Sequence, residues 1–241
     1  MRLEQILFSQ GFGTRKRCRL LIARGAVEVE GTPCLDPAAA WDVTPDPVAG
    51  NAFEFCVEGV RWQYHAKAYL MLHKPADYEC SKKPKSHRSV YSLLPAPLRT
   101  RDVQAVGRLD QDTTGMLLFS DDGQFIHHMT SPKHEVPKRY EVQLSDAVTP
   151  EQVARLILGV ILDDRPEPVR AHACVLTAPA EMRLTLVSGK YHQVKRMLAA
   201  VGNHVENLHR SQIGQLPMPA DLAEGCWRWL TADDVLRAST A

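Results

Sequence analysis

No apolar run in the 241 residues approaches the roughly 18 that a membrane-spanning helix needs. The N-terminus carries charge without a following apolar stretch and small-residue cleavage site, so no secretory leader and no membrane partner are expected, and the reading is a cytoplasmic protein. Net charge is nearly missing as well: 29 Lys and Arg face 28 Asp and Glu, a formal +1. A basic field over the whole molecule is therefore excluded, and any nucleic-acid contact must come from local patches. Cys18, Cys34, Cys56, Cys80, Cys174 and Cys226 form no C-x-x-C, and a chain of this length does not depend on disulfide staples, so isolated buried thiols are expected. The ten histidines show no H-E-x-x-H or comparable spacing, and no metal site is expected. What remains is an ordinary globular composition, 44% apolar and 24% charged, sufficient for one large domain with or without a small companion.

The first 60 residues read as a small module. Leu3, Ile6 and Leu7 follow helical spacing, and Gly11 and Gly13 punctuate its end. Thr14 can cap a second helix over residues 15–24, with Leu20, Leu21 and Ile22 as its apolar contacts. Val27 and Val29 alternate with glutamates before Gly31 turns the chain, and Phe53 to Gly59 repeats that strand-and-turn style. Pro45 and Pro47 mark residues 42–50 as loop. A linker is expected over residues 61–66, then a mixed α and β domain over 67–241. In it Tyr69 to Leu72 reads as a strand stopped by Lys74-Pro75, and Met116 to Leu118 with Phe119 as another. Lys138, Tyr140, Val142 and Leu144 share one face of a third strand, and Met182, Leu184 and Leu186 one face of a fourth. Val194, Met197, Leu198 and Val201 form the stripe of a helix ended by Gly202, and Thr231 to Asp234 fits a capping box before a terminal helix.

Charge is concentrated locally. Residues 1–24 hold six Arg or Lys against Glu4 alone, and Arg15, Lys16 and Arg19 lie on the second helix with Arg15 and Arg19 one turn apart. That face reads either as phosphate-binding or as a solvated helix surface. The run Lys82-Lys83-Pro84-Lys85-Ser86-His87-Arg88 is equally an RNA contact or a solvated loop. Gly107 to Gly123 is a polar loop feeding an apolar strand. Its Asp110 and Asp112 are compatible with metal ligation, a glycosidase pair or a plain Asx turn.

The segment Gly107-Arg108-Leu109-Asp110-Gln111-Asp112-Thr113-Thr114-Gly115-Met116-Leu117-Leu118 resembles the G-R-L-D-x-D-T-x-G-L-L-L signature of pseudouridine synthases. Four further stretches follow in the family's order. His73-Lys74-Pro75 resembles its N-K-P with His for Asn, and Lys138-Arg139-Tyr140-Glu141-Val142 its K-x-Y-x-V. Gly189 to Met197 resembles its G-x-x-H-Q-V-K-R-M, and Leu208-His209-Arg210 with Ile213-Gly214 continue the match. Residues 1–60 resemble the S4-type RNA-binding module that opens the branch acting on bacterial ribosomal RNA. The resemblance implies an α+β fold, with the catalytic domain on a mixed, largely antiparallel sheet and the cleft across it. It also implies isomerisation of a uridine within RNA, with no cofactor, because the reaction has no redox step and transfers no external group.

By that resemblance Asp110 is the catalytic carboxylate, Lys195 pairs with it, and Tyr140 stacks on the uracil. Taken alone, Tyr140 is also a core residue and Lys195 a surface lysine. Extruding the nucleotide costs a few kcal/mol. Arg108 is placed to fill the gap, and His192, Arg196 and Arg210 to contact phosphates. Asp112 is assigned to holding the loop with Thr113. Thr130 to His134 and Gly189 to Val205 are more similar to members that modify 16S than 23S ribosomal RNA, which implies uridine 516 as target. A monomer is expected. The rivals are a 23S enzyme and a non-catalytic S4-type RNA-binding or ribosome-assembly factor.

Overall fold

Thr14 accepts the amide of Arg17 at 3.3 Å, and the second helix starts there. The computed structural model describes residues 1–44, 52–163 and 165–240. The chain divides into two compact units, Met1–Ala68 with Leu94–Val103, and Tyr69–Leu93 with Gln104–Ala241. Pro45 and Pro47, expected in a loop, lie outside the described residues.

In the first unit, α1 (Leu3–Ser9) and α2 (Arg15–Ala23) pack on an antiparallel sheet of β1 (Val27–Val29), β2 (Thr32–Pro33), β3 (Glu54–Val57) and β4 (Val60–Gln63), ordered β2-β1-β3-β4. Leu3, Ile6, Leu7, Cys18, Leu21, Ile22, Val27, Val29, Phe55 and Val57 form its core. Cys18, Leu21 and Ile22 supply the i, i+3, i+4 stripe of α2, while Leu20, expected inside, is 59% exposed on the opposite side. Two Glu-Gly turns, Glu30-Gly31 and Glu58-Gly59, are left-handed at both residues, the geometry that closes a two-residue hairpin. The second turn corrects the expected boundary. Val57 pairs with Val60 and Phe55 with Trp62, so the chain after residue 60 continues the sheet where a linker was expected. The unit also includes α3 (Ala96–Thr100). Gly11 makes that packing possible, since a Cβ there would meet the Pro97 carbonyl at 2.1 Å.

The second unit is built on one sheet. Its strands are β5 (Tyr69–Lys74), β8 (Gln104–Val106), β9 (Thr114–Ser120), β10 (Lys138–Leu144), β13 (Ala173–Ala178), β14 (Glu181–Leu186), β15 (Val205–Ile213), β16 (Leu216–Pro217) and β17 (Trp227–Trp229). Short pairs β6 (Tyr78–Glu79) with β7 (Arg88–Ser89) and β11 (Val160–Leu162) with β12 (Arg165–Val169) lie beside it. The main path runs β13-β14-β10-β15-β9-β5-β17, with β8 on β9 and β16 on β15. Only β15 with β9 is parallel in this sheet, so it is mixed and largely antiparallel as expected. Helices α4 (Gly123–Thr130) and α7 (Ala232–Ser239) pack Phe125, Met129 and Ala238 against Met71, Met116, Leu118 and Ile213. Asp122 caps α4 and Thr231 caps α7. Helix α5 (Pro150–Leu158) is capped by Thr149. Helix α6 (Gln193–Ala200) buries the expected Val194, Met197 and Leu198. All six cysteines are free. Only Cys18 is buried and Cys226 is exposed, so the expectation of buried thiols holds for one of them.

Candidate active site

Strand β15 contains one residue more than its partner β10 between two paired positions. Arg139 pairs with Gln212, but Tyr140 pairs with Arg210, leaving Ser211 as a bulge. Side chains normally alternate, so residues three apart face opposite ways. Here the bulge brings Arg210 and Ile213 to the same face. Lys138 and Tyr140 of β10 and Leu208, Arg210 and Ile213 of β15 all line one cavity of about 660 Å³. That volume suits a small organic ligand or one nucleotide.

The loop between β8 and β9 supplies the rest of that wall with Arg108, Leu109 and Asp110, and the segment 186–194 supplies the opposite one. Among the described residues Asp110 is the only carboxylate lining the cavity, against Arg108, Lys138, Lys190 and Arg210. His192 Nε2 lies 3.5 Å from Asp110 Oδ1, and its ring stacks on Tyr191 at 3.8 Å. His192 is left-handed (φ 48°) at the N-terminus of α6, a conformation uncommon for a residue with a side chain. The buried Gln193 amide holds the preceding turn by accepting the Lys190 amide at 2.9 Å and donating to Ser188 Oγ at 2.8 Å.

Lys74 anchors the Asp110 loop from beneath. Its ammonium is fully buried and donates to the carbonyls of Pro75 (2.9 Å), Gln111 (3.0 Å) and Thr113 (2.9 Å). Burial lowers its pKa, and nearby Cys80, Asp112 and Asp110 partly restore it. Arg210, 4% exposed, donates to the Met116 carbonyl at 2.8 Å and to the Arg108 carbonyl at 3.5 Å. Its Nη2 is buried without a hydrogen-bond partner. Lys138 shares the cavity and donates weakly to the Met129 carbonyl at 3.5 Å. Burial, then the Arg210 charge, pushes its pKa down to about 8. A permanently charged guanidinium beside a half-buried ammonium leaves positive charge that the cavity does not itself neutralise.

The structure brings Asp110, Tyr140, Arg108, His192 and Arg210 together around this cavity and leaves the other expected residues outside it. Tyr140 is 9% exposed, at once core and wall. Lys195 departs from expectation: its Nζ bonds Asp112 Oδ2 at 2.5 Å instead of pairing with Asp110. Burial raises the Asp112 carboxyl, but the Lys195 hydrogen bond and charge outweigh it and hold the group below its usual range. Asp112 thus fixes the loop through Lys195 and not through the Thr113 side chain, whose Oγ1 is buried without a partner. Arg196 donates to the Tyr191 carbonyl at 3.4 Å. Arg210, expected to contact phosphates, is largely buried, lines the cavity and braces the Asp110 loop through the Arg108 carbonyl. Lys138 and Lys74 lie in the segments that resemble K-x-Y-x-V and N-K-P, and the resemblance by itself gives them no role. The shared face of Lys138 and Tyr140, visible as simple alternation, is the signal that places Lys138 in the site.

In the first unit, Arg19 forms an ion pair with Glu4 of α1, and the Arg15 guanidinium lies 5.2 Å over the Phe8 ring. Lys16 is exposed. The basic face is therefore partly neutralised within the unit. No cluster of three or more metal-ligating side chains occurs among the described residues.

This cavity, with its lone carboxylate, tyrosine wall and cationic lining, occurs in a chain whose residues 68–200 match the RNA pseudouridylate synthase family. The chain belongs to that family, and it is an RNA pseudouridine synthase. Across nearly its full length it resembles ribosomal small subunit pseudouridine synthase A. The identity is 39% over 237 residues with the Vibrio parahaemolyticus protein, covering 98% of each chain. It is 42% over 173 residues with the Escherichia coli K12 protein, covering 72% of this chain and 74% of that one. A crystal structure of a pseudouridylate synthase superposes with a TM-score of 0.68 at 32% identity, covering 99% of both chains.

Proposed function

We propose that the protein converts one uridine of 16S ribosomal RNA to pseudouridine, with Asp110 as the catalytic carboxylate and uridine 516 as the implied target. The observation that carries this reading is the cavity in which Asp110 is the sole acid and Tyr140, Lys138 and Arg210 share one sheet face. The isomerisation breaks the bond from ribose to N1 and forms one from ribose to C5, with the C5 proton leaving and N1 gaining one. Atoms and electrons balance within the nucleotide, so no cofactor is called for. Asp110 acts on the ribose or the base, with His192 Nε2 as its neighbour at 3.5 Å. Tyr140, in the cavity wall, supports the extruded uracil, and its hydroxyl relays the C5 proton. Arg108 and Lys190 at the wall meet the displaced RNA backbone. The first unit, as an S4-like module, adds RNA affinity through Arg15, Lys16 and Arg19. The relatives' names support the small-subunit target, and a monomer acting in the cytoplasm on ribosomal RNA is the simplest form. Among the described residues no helix is long and apolar enough to cross a membrane.

Pseudouridine mapping on ribosomal RNA from a deletion strain tests the target. Loss of one 16S signal with 23S intact is expected, and loss in 23S alone overturns the assignment. Asp110→Asn should abolish pseudouridine formation while RNA binding persists. An active variant removes Asp110 from the chemistry, and a wild-type protein that binds without isomerising makes it a binding factor.

A further inference from the structure

Strands β6 and β7 pair in parallel, Tyr78 with Arg88 and Glu79 with Ser89, and residues 80–87 loop out between them. The loop winds around one carboxylate. Glu79 accepts the successive backbone amides of Lys85 (3.0 Å), Ser86 (2.8 Å) and His87 (2.9 Å), and these bonds hold its pKa below the usual carboxylate range. Ser89 Oγ donates to the Ser81 carbonyl at 2.5 Å and Ser81 Oγ accepts the Lys83 amide at 3.1 Å, closing the neck. With its amides turned inward, the loop turns its cations outward, and every residue from Lys82 to Arg88 is exposed. Among the described residues no carboxylate lies within ion-pair distance of Lys83, Lys85 or Arg88, although His87 lies 3.9 Å from Asp77. Crowded like charges repel and favour a splayed, mobile loop, so a fixed arrangement of this kind presents a ready surface for an anionic polymer.

The neck of the loop is attached to the catalytic segment. The Asp77 amide donates to the Gln111 carbonyl at 2.8 Å, and the Leu109 amide to Cys80 Sγ at 3.4 Å. These contacts fall on the two neighbours of Asp110, one on each side. We infer that residues 82–88 form a preordered grip for RNA phosphates flanking the nucleotide that enters the cavity. The inference rests on the reading that the substrate is ribosomal RNA and deepens it by assigning a second contact on the catalytic unit, separate from the helix α2 face.

The test is salt-dependent binding of the full chain to a 16S rRNA fragment containing the target, together with pseudouridine formation at saturating enzyme. Lys83→Gln, Lys85→Gln and Arg88→Gln combined should weaken binding about 10-fold near physiological salt. It should also flatten the slope of log affinity against log salt by about 2, since each phosphate contact contributes roughly 0.7–0.9. The yield at saturating enzyme should stay at wild-type level. An unchanged slope and affinity overturn the grip while leaving the enzymatic reading intact, whereas a wild-type protein that forms no pseudouridine on the fragment removes that reading first. Glu79→Ala separates order from charge. It makes the loop more positive but removes the acceptor of three amides, so weaker binding is expected, and tighter binding would show that charge alone matters.

Discussion

Lys138 carries opposite pH signatures in folding and in binding. In the unfolded chain its ammonium titrates near its ordinary value, whereas in the fold burial and then Arg210 hold it at about 8. Between pH 8 and roughly 10.5 the unfolded chain therefore binds the extra proton, and this group makes the fold more stable as pH rises. RNA binding that uses the ammonium weakens over the same rise, as the proton leaves above about pH 8. Lys138 is the cavity cation whose pKa burial brings into that window, so its loss of charge reduces the cavity's attraction for RNA there. Titrating RNA affinity from pH 7 to 9.5 should show a fall in the wild type and a weaker, flat profile in Lys138→Met; a parallel fall in both would assign the effect elsewhere. His65 shows linkage of the same sign on the acid side. Burial, then the Arg101 charge, pushes its pKa down to about 4, so from pH 6.5 toward 4 the unfolded chain binds the proton and stability falls. The expected loss is at most roughly 3 kcal/mol. Urea unfolding at pH 7 and pH 5 should show a smaller drop for His65→Gln than for the wild type.

Strand β9 packs against β15 with a closeness that only glycine permits. A Cβ at Gly115 would lie 2.4 Å from the Arg210 carbonyl oxygen and 2.6 Å from its amide nitrogen, atoms of a neighbouring backbone that cannot swing aside. Gly115→Ala should cost at least ~2 kcal/mol, measurable as a lowered urea midpoint, and should disturb the Arg210 contacts to Met116 and Arg108. Elements of this kind were legible in the sequence where one local rule sufficed. Alternation gave β10 and β14, the 3.6 period gave α6, and the threonines at 14 and 231 marked helix starts. The β4 strand was missed because its residues alternate poorly, and its pairing with β3 follows from the left-handed Glu58-Gly59 turn. Helix α4 is less legible because Asp121-Asp122-Gly123 has the composition of a turn, yet Asp122 accepts the Gln124 amide at 3.0 Å and starts a helix.

Across the whole molecule the near-zero net charge conceals a division of labour. Acidic residues are spent on fixing positions: Glu4 on Arg19, Asp112 on Lys195, and Glu79 on the amides of its loop. Cations line the cavity, and among the described residues Lys83, Lys85 and Arg88 on the 82–88 loop have no carboxylate within ion-pair distance. Composition could not reveal this, because pairing across long sequence separations decides which charges are neutralised. For the same reason Lys195 was matched to Asp110 by motif order but meets Asp112, two residues along the same loop. The catalytic motif itself was visible in the chain as an ordered series of short segments, since each carries side chains that must converge. The extra residue in β15 lets Arg210 and Ile213 converge although their spacing is odd. Removing Ser211 would put that strand out of phase with its neighbour and turn either the guanidinium or the isoleucine away from the substrate. A one-codon deletion outside the cavity lining is therefore expected to silence the enzyme, whereas Ser211→Ala, which preserves the count, should leave it working.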